Sequence, residues 1–232
     1  MSKFVNTNAI AGAIGIGFSK PMVALYNASG NTVTYTGGIP FARGASVQIQ
    51  ANSSDANTWR ADNMDAESAG GKFTGGSMTV VTDDLFYAAD QLIHGRGETA
   101  EVNGIEVEKS TVVDEVPYCG FGYLREYQCG GQEIYRAIML TKVKFNESGD
   151  AAETEEETKK WQTTENSAQI FRDDTEDKTW RLRGANYYTT EDEAFAELCA
   201  LLMISSYSGS GTSGSGTSGS GTSGSGTSGS GT

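Results

Sequence analysis

The residues best suited to catalysis are few in this chain. It contains a single histidine, His94, and three cysteines, Cys119, Cys129 and Cys199. A hydrolytic triad would depend on His94 alone, and no Gly-x-Ser-x-Gly motif supplies its nucleophile. One histidine without a Cys-x-x-Cys pair also falls short of a zinc ligand set. His94 lies at the end of a predicted helix, where the helix dipole stabilises an imidazole without any further function.

The three cysteines favour structural interpretations. Cys199 has helical spacing within an apolar helix face, so we interpret it as a packing residue. Cys119 and Cys129 flank a stretch rich in Tyr and Gly that we predict to be a hairpin, which leaves open a disulfide across it or two free thiols. The odd number of cysteines is typical of free thiols in a reducing cytoplasm.

Two further motifs have the composition of ligand sites. Gly12, Gly15 and Gly17 have the glycine density of a phosphate loop, but Phe18 stands where a Walker loop needs lysine, and no strand precedes them. The acidic run at residues 173–177 lacks both the glycine and the closing glutamate of a calcium loop. We interpret the first as a flexible arm and the second as a solvated turn. The sequence predicts no enzyme, no cofactor and no metal site.

The charge balance narrows the classes of partner. The chain has 30 acidic and 17 basic residues, for a net charge of −13. Proteins that bind nucleic acid or anionic membranes carry clustered Lys and Arg, so this charge balance argues against both kinds of binding. The longest apolar run, residues 9–18, is about half the length of a membrane span. We expect neither a membrane segment nor a signal peptide.

The elements that must position these residues are mainly strands. Alternation of polar and apolar residues predicts half-buried strands at residues 32–36, 47–50, 141–145 and 179–183. Continuous apolar runs predict strands buried on both faces at residues 22–26, 77–82 and 134–140. Gly-rich pairs at residues 37–38, 75–76 and 130–131 are read as turns between them.

Two amphipathic helices are expected to pack on this sheet. One covers residues 84–94 and is ended by Gly95, and the other covers residues 191–204 and begins with a capping box at Thr190 and Glu193. The predicted fold is therefore mainly β, an antiparallel β-sandwich or partial barrel with one or two flanking α-helices.

The chain divides into one domain and a tail. Residues 1–207 form the predicted domain, and residues 208–232 are five copies of Ser-Gly-Ser-Gly-Thr, a composition typical of a flexible linker. Perfect repetition favours a linker added by design over a natural low-complexity junction. Residues 51–76 are polar and irregular, which predicts an extended loop or a short hairpin. Residues 146–160 are strongly acidic and are read as a solvated loop or edge.

One aromatic cluster leaves two functions open. It contains Tyr118, Phe121, Tyr123, Tyr127 and Tyr135. Such residues can form a sugar-stacking platform, but cross-strand pairs inside a sandwich are their commoner use. A monomeric binding module for carbohydrate or a host surface is the alternative function that this cluster supports.

Several segments resemble, in order, the major tail tube proteins of long-tailed, non-contractile bacteriophages, in the branch called the phi13 family. They are residues 23–38 (VALYNASGNTVTYTGG), 45–50, 53–55, 61–63, 73–79, 135–145, 160–165 and 189–202. Together they span about residues 20–205, and none is a catalytic signature, so the resemblance depends on their order and coverage.

This resemblance implies a structural function and no active site. Six copies would form a ring, and rings would stack into a tube that conducts the viral genome. Residues 1–19 would be an N-terminal arm, and residues 51–76 a long loop, that bridge successive rings. Six large apolar residues of these two segments are the candidate subunit contacts: Phe4, Ile10, Ile14, Trp59, Met64 and Phe73.

The expected partners follow from that function. They are other copies of the chain and the tail terminator and tail-tip proteins, while the tape-measure protein and DNA pass through the lumen without specific binding. We expect the protein in the virion tail, after assembly in the host bacterial cytoplasm, with no membrane partner. An acidic lumen would repel DNA phosphates and let the genome slide. The tube protein of a contractile or secretion machine is a further alternative.

Overall fold

The computed structural model describes residues 13–55, 57–61, 64–96, 99–107, 109–111, 114–147 and 162–204. These residues are mainly in antiparallel strands, with two α-helices, as the sequence predicts. The strands are β1 (Ile14–Ser29), β2 (Thr32–Pro40), β3 (Ala42–Ser53), β4 (Asn57–Ala61), β5 (Met64–Ala69), β6 (Phe73–Leu85), β7 (Ala100–Val102), β8 (Ile105–Val107), β9 (Cys119–Cys129), β10 (Gln132–Phe145), β11 (Thr164–Phe171) and β12 (Arg181–Arg183). The helices are α1 (Tyr87–His94) and α2 (Glu191–Leu201).

One large antiparallel sheet contains eight of these strands. Their order is β2-β1-β9-β10-β11-β6-β3, and β12 lies beside β11 along the same edge of β10. Two hairpins, β4–β5 and β7–β8, pair only within themselves among the described strands. The β4–β5 hairpin confirms the hairpin alternative for residues 51–76, although β3 and β6 take up both ends of that segment.

The sheet curls because β1 bends in its middle. Lys20 has a left-handed backbone (φ 48°) before Pro21, and the β1–β9 register shifts between Ser19 and Met22. After the bend β1 pairs with both β2 and β9, whereas before it β1 pairs with β9 alone. Residues 14–19, predicted to belong to the arm, are therefore part of a strand.

An open seam separates the first part of β1 from β3. No strand pairing joins them, and Phe18 of β1 lies against Gly44 of β3. A cavity of about 350 Å³ opens there, bounded also by Tyr123 and Arg125 of β9. The sheet is thus a partial barrel, open at the seam.

Apolar side chains fill the barrel interior. Phe41 contacts Phe121 edge-on at 5.4 Å between ring centroids and stacks on Phe145 at 5.3 Å. Helix α1 adds Ala89 and Ile93, both fully buried, to this core. Gly95 ends α1 in a left-handed conformation (φ 63°), as predicted, but the helix begins at Tyr87 because residues 84–85 still belong to β6.

A second core lies on the outer face of β1, β9 and β10, under α2. Leu198 and Leu202 are fully buried there. The approach is close because β9 offers a glycine: a β-carbon at Gly122 would lie 2.6 Å from Cδ1 of Leu198. Thr190 occupies the predicted N-cap position but makes no side-chain capping hydrogen bond.

Most predicted strands coincide with observed ones. Of residues 179–183 only the last three form a strand, and the other predicted segments lie wholly within observed strands. Gly130 and Gly131 do form a turn, but the pairs at residues 37–38 and 75–76 lie inside β2 and β6. Those two turn predictions were wrong because a strand also uses glycine where another backbone approaches closely, as Gln50 does at Gly76.

Candidate functional site

His94 is buried at the end of α1 and connects that helix to the end of β10. Its Nδ1 lies 2.9 Å from Oδ1 of Asp90, and its Nε2 lies 3.3 Å from the carbonyl oxygen of Asn146. Both ring nitrogens face oxygen acceptors, which favours the doubly protonated ring. Burial lowers the pKa of His94, but the hydrogen bond and charge of Asp90 outweigh it and raise the pKa. This arrangement is a structural ion pair, and Arg96 completes it by binding Asp90.

The cysteines are not paired with His94 as nucleophiles, because both of its ring nitrogens face Asp90 and Asn146. Cys119 and Cys129 stand at the two ends of β9, about 33 Å apart at normal strand rise, so no disulfide joins them. The prediction that they flank a hairpin was wrong, because both lie on the same strand. Burial raises the pKa of Cys119 to about 12 and also raises that of Cys199. Neither thiol is activated.

The acidic run at residues 173–177 is a turn, as predicted, and its first two carboxylates accept hydrogen bonds. Asp173 is buried and accepts hydrogen bonds from the backbone and hydroxyl of Thr175. Asp174 accepts from the Tyr26 hydroxyl at 2.7 Å and from Lys142 at 2.6 Å. These contacts lower the pKa of Asp174 and anchor the turn to β1 and β10. Within the described residues, no group of three or more side chains is arranged to hold a metal ion.

The aromatic cluster is divided between different surroundings. Phe121 and Tyr123 are buried in the barrel interior, whereas Tyr135 packs against the second core. Tyr118 is partly exposed, 39% of its surface, and Tyr127 contacts Tyr187 edge-on. The five residues therefore form no single stacking platform.

The predicted subunit contacts have different positions. Ile14 is 69% exposed at the start of β1. Phe73 is partly buried and stacks on Trp180, with ring centroids 4.5 Å apart and planes within 6°. Trp59 lies on β4 and Met64 on β5, where only the backbone is described. Phe4 and Ile10 lie outside the described residues.

Two long strands have an open edge. Within the described residues, β2 pairs only with β1, and β3 pairs only with β6. The 9 residues of β2 carry no charge, and the 12 residues of β3 carry one, Arg43, which pairs with Asp83 of β6. Monomeric proteins normally protect such edges with lysines, prolines or bulges. Pro40 and register shifts interrupt part of each edge, and Phe18 of β1 lies against the start of β3 at Gly44. The regular stretches, residues 32–36 of β2 and 46–52 of β3, contain no lysine, proline or bulge.

The outer face of β3, β6 and β11 is polar and uncharged over most of its area. We call it the bare face: Gln48, Gln50, Ser77, Thr79, Ser167 and Gln169. Helix α2 packs on β9 and β10 instead, so it leaves this face open. Glu165 extends this face along β11, and Lys144 of β10 borders it directly opposite Gln169.

Four arginines from three neighbouring strands share one face. We call them the arginine patch: Arg125, Arg136, Arg181 and Arg183. Arg125 lies directly opposite Arg136, and Arg183 lies opposite Ile138. Opposite residues point to the same side of a sheet, so the patch continues the barrel-interior face that carries Tyr123. Arg125 also lines the cavity at the seam.

Three of these arginines lie over aromatic rings, and Arg136 also interacts electrostatically with Glu197 of α2. Three guanidinium groups lie 4.3–5.6 Å from ring centroids: Arg125 over Tyr127, Arg136 over Tyr187 and Arg181 over Trp180. None of the four forms an ion pair with a described residue. Burial and the charges of Arg183 and Arg136 lower the pKa of Arg181. Sequence reasoning missed this patch because strand register brings its members together; the alternation at residues 181–183 was the one local signal.

Comparison with known proteins does not assign the chain to a family. No protein-family model matches the chain, and no curated protein matches it either. In the part of the chain that the structure describes, no helix is long and apolar enough to span a membrane.

Proposed function

We propose that this chain is the subunit of a bacteriophage tail tube, in which six copies form a ring and rings stack into a channel for the genome. The ordered resemblance across about residues 20–205 suggests this function. The mainly antiparallel fold with flanking helices agrees with what that resemblance implies. The proposed partners are other copies of the chain, the terminator and tip proteins, and a tape-measure protein and DNA in transit, all within a virion tail.

The observation that carries the proposal is the pair of open, almost uncharged edges on β2 and β3. An exposed edge of that length is a template for another chain. Pairing with a neighbouring copy satisfies the free backbone groups, and closing a ring leaves no edge over. An assembling subunit needs such edges, whereas a monomeric binding module would need to protect them.

The bare face is the candidate wall of the channel. Its amides and hydroxyls stay hydrated and offer DNA phosphates no cluster of cations, on which affinity for phosphates depends. At its borders, Lys144 lies opposite Gln169 with its ammonium group over the ring of Tyr118, and Arg43 is paired with Asp83. The net charge of the chain predicts instead that an acidic wall repels the DNA phosphates. Among the described residues, Glu165 and the paired Asp83 are the acids along this face, so here sliding depends on the lack of clustered cations rather than on repulsion.

Electron microscopy of the purified full chain tests the function. Negative-stain images and size-exclusion chromatography over a range of concentrations should show six-fold rings or stacked tubes. A single monomer peak at all concentrations, with no rings in the images, would contradict the proposal.

A charge placed on an open edge tests the carrying observation. Thr34→Lys, on exposed β2, should abolish rings and leave a folded monomer, because the lysine resists pairing with a second strand. Ala196→Lys, on the exposed surface of α2, is the matched control and should assemble normally. Equal assembly of both variants would refute edge pairing.

A further inference from the structure

A small projecting hairpin carries charge opposite to that of the arginine patch. In the β7–β8 hairpin, Glu101 lies directly opposite Glu106, and Val102 lies opposite Ile105. Val102 is 41% exposed and Ile105 is 65% exposed. Successive strand residues point to opposite faces, so one face of the hairpin is acidic and the other is apolar.

Both features hold like charges together without an ion pair to a described residue. Their partners within the copy are weaker: Thr99 donates a hydrogen bond to Glu106, and Arg136 interacts electrostatically with Glu197 at longer range. Glu101 and Glu106 repel each other across two strands, and like charges directly opposite are unfavourable. The arginine patch holds four cations close enough that Arg183 and Arg136 lower the pKa of Arg181. Elsewhere in the described chain, Lys20, Arg43 and Lys142 pair with carboxylates of the same copy. The patch is therefore a basic surface whose arginines form no ion pair with the described residues of the same copy, although the chain has a net charge of −13.

We propose that the arginine patch of one copy binds the acidic β7–β8 hairpin of a second copy. This inference rests on the proposed function and names one of the contacts between subunits. The contact is heterologous, since two different surfaces meet, and such contacts generate rings or open stacks.

The surroundings of the patch suit the rest of the hairpin. The cavity of about 350 Å³ at the seam offers space beside Arg125 for an apolar side chain such as Ile105. Phe18 and Tyr123 line the same cavity and give it an apolar wall. Acidic and apolar hairpin faces thus meet basic and apolar surfaces on the second copy.

The same observations favour a protein ligand over a nucleic acid. The rings of Tyr127, Tyr187 and Trp180 already stack with arginines of the patch, so a base would have to displace them. The net charge of −13 also repels a long polyanion, whereas a hairpin with two carboxylates presents only a local charge.

Charge reversal with rescue tests the contact. Arg125→Glu with Arg183→Glu, and separately Glu101→Arg with Glu106→Arg, should each weaken self-association by a factor of about ten or more, because like charges would face each other. The two double variants mixed together should associate again, and so should the chain that carries all four substitutions. Sedimentation velocity measures association, and negative staining shows whether rings, stacks or neither remain.

The control variants change the net charge by the same amount as the test variants, but at other surface positions. Arg172→Glu with Lys178→Glu alters charge as the patch variant does, and Glu176→Arg with Asp177→Arg alters it as the hairpin variant does; the wild-type residues are exposed or partly exposed. Both controls should associate like wild type. Circular dichroism confirms that every variant is folded, and a photo-crosslinker at Ile105 should attach to a peptide that contains Arg125 or Arg183 of another copy.

The outcomes separate this contact from the tube itself. Rings and stacks unaffected by the patch and hairpin reversals would overturn the contact and leave the proposed function standing. Charge-rescued dimers without rings or tubes would support the contact and refute the tube. A wild type that stays monomeric overturns both. Binding of single-stranded DNA or polyphosphate that depends on the patch, with self-association unchanged by reversal, would assign the arginines to nucleic acid instead.

Discussion

The two halves of the main sheet differ in what covers them. Strands β1, β9 and β10, the covered half, have the barrel core on one face and α2 on the other. Strands β3, β6 and β11, the bare half, bury one face and expose glutamines, serines and threonines on the other. The covered half is thus built like a domain core, whereas the bare half keeps a surface and an open edge.

This difference predicts that the two halves contribute unequally to the stability of one continuous sheet. Substitutions in the covered half should alter the free energy of unfolding, because they leave cavities in a two-sided core. Substitutions on the bare face should leave folding unchanged, because those side chains remain in water. Variants can therefore show whether the two halves are independent.

Truncation of the α2 contact should have the largest effect. Leu198→Ala removes a fully buried side chain from the second core and should lower the free energy of unfolding by about 2–5 kcal/mol in urea titrations. Leu201→Ala, on the same helix but only partly buried, is the control and should cost clearly less. Equal losses would mean that α2 does not bury the covered half as described.

His94 should make stability depend on pH. Its pKa is raised in the folded state, so its contribution is complete below the unfolded pKa of about 6.5 and is lost as pH rises through the folded pKa. His94→Gln should cost about 1.5–3 kcal/mol at acidic pH, the range for hydrogen bonds to charged groups.

That difference between wild type and His94→Gln should shrink as the solution becomes alkaline. Thermal unfolding from about pH 5 to pH 9 measures it, a range in which Asp90 stays ionised because its pKa is lowered. Asp90→Asn should flatten the same profile. A wild-type advantage that grows with pH would show that His94 is neutral in the fold.

Substitution on the bare face should have a small effect on folding. Gln48→Ala, an exposed residue of β3, should change the free energy of unfolding by less than about 0.5 kcal/mol and leave rings intact. Thr79→Cys labelled with a maleimide gold cluster should then place density inside the tube. Density on the outer surface would remove the bare face from the channel wall.

Deletion of residues 208–232 should have the smallest effect of all. The Ser-Gly-Ser-Gly-Thr repeats carry no charge and no apolar side chain, so both stability and assembly should match the full chain. Unfolding curves and negative-stain images of the two chains make the comparison. Loss of rings on deletion would give the repeats a function beyond that of a linker.

The sequence predicts the covered half best where its pattern is continuous. Met22, Val23 and Ala24 are fully buried in a run that alternation could not explain, and they do lie between the two cores. Alternation at Val47 and Ile49 equally predicted the half-buried β3. In both cases the periodicity of side chains along one strand contains the information.

Features that depend on contacts between segments distant in the chain could not be predicted from the sequence. The arginine patch needs the register of β9, β10 and β12, and residues 125 and 183 are far apart in the chain. Glycines led to a wrong prediction in β9, because Gly120 and Gly122 favour a hairpin between the two cysteines. Both lie inside β9, where Tyr35 and Leu198 pack directly on the backbone.

Gly122 also constrains how this sequence can vary. A side chain there would meet Leu198 at 2.6 Å and Leu202 at 3.3 Å, so α2 would have to move outward to admit it. The residue at position 122 thus determines the spacing between helix and sheet, and substitutions at 122 and 198 should be compensatory rather than additive. A selection for folded variants that randomises both positions should recover larger residues at 122 only together with smaller ones at 198.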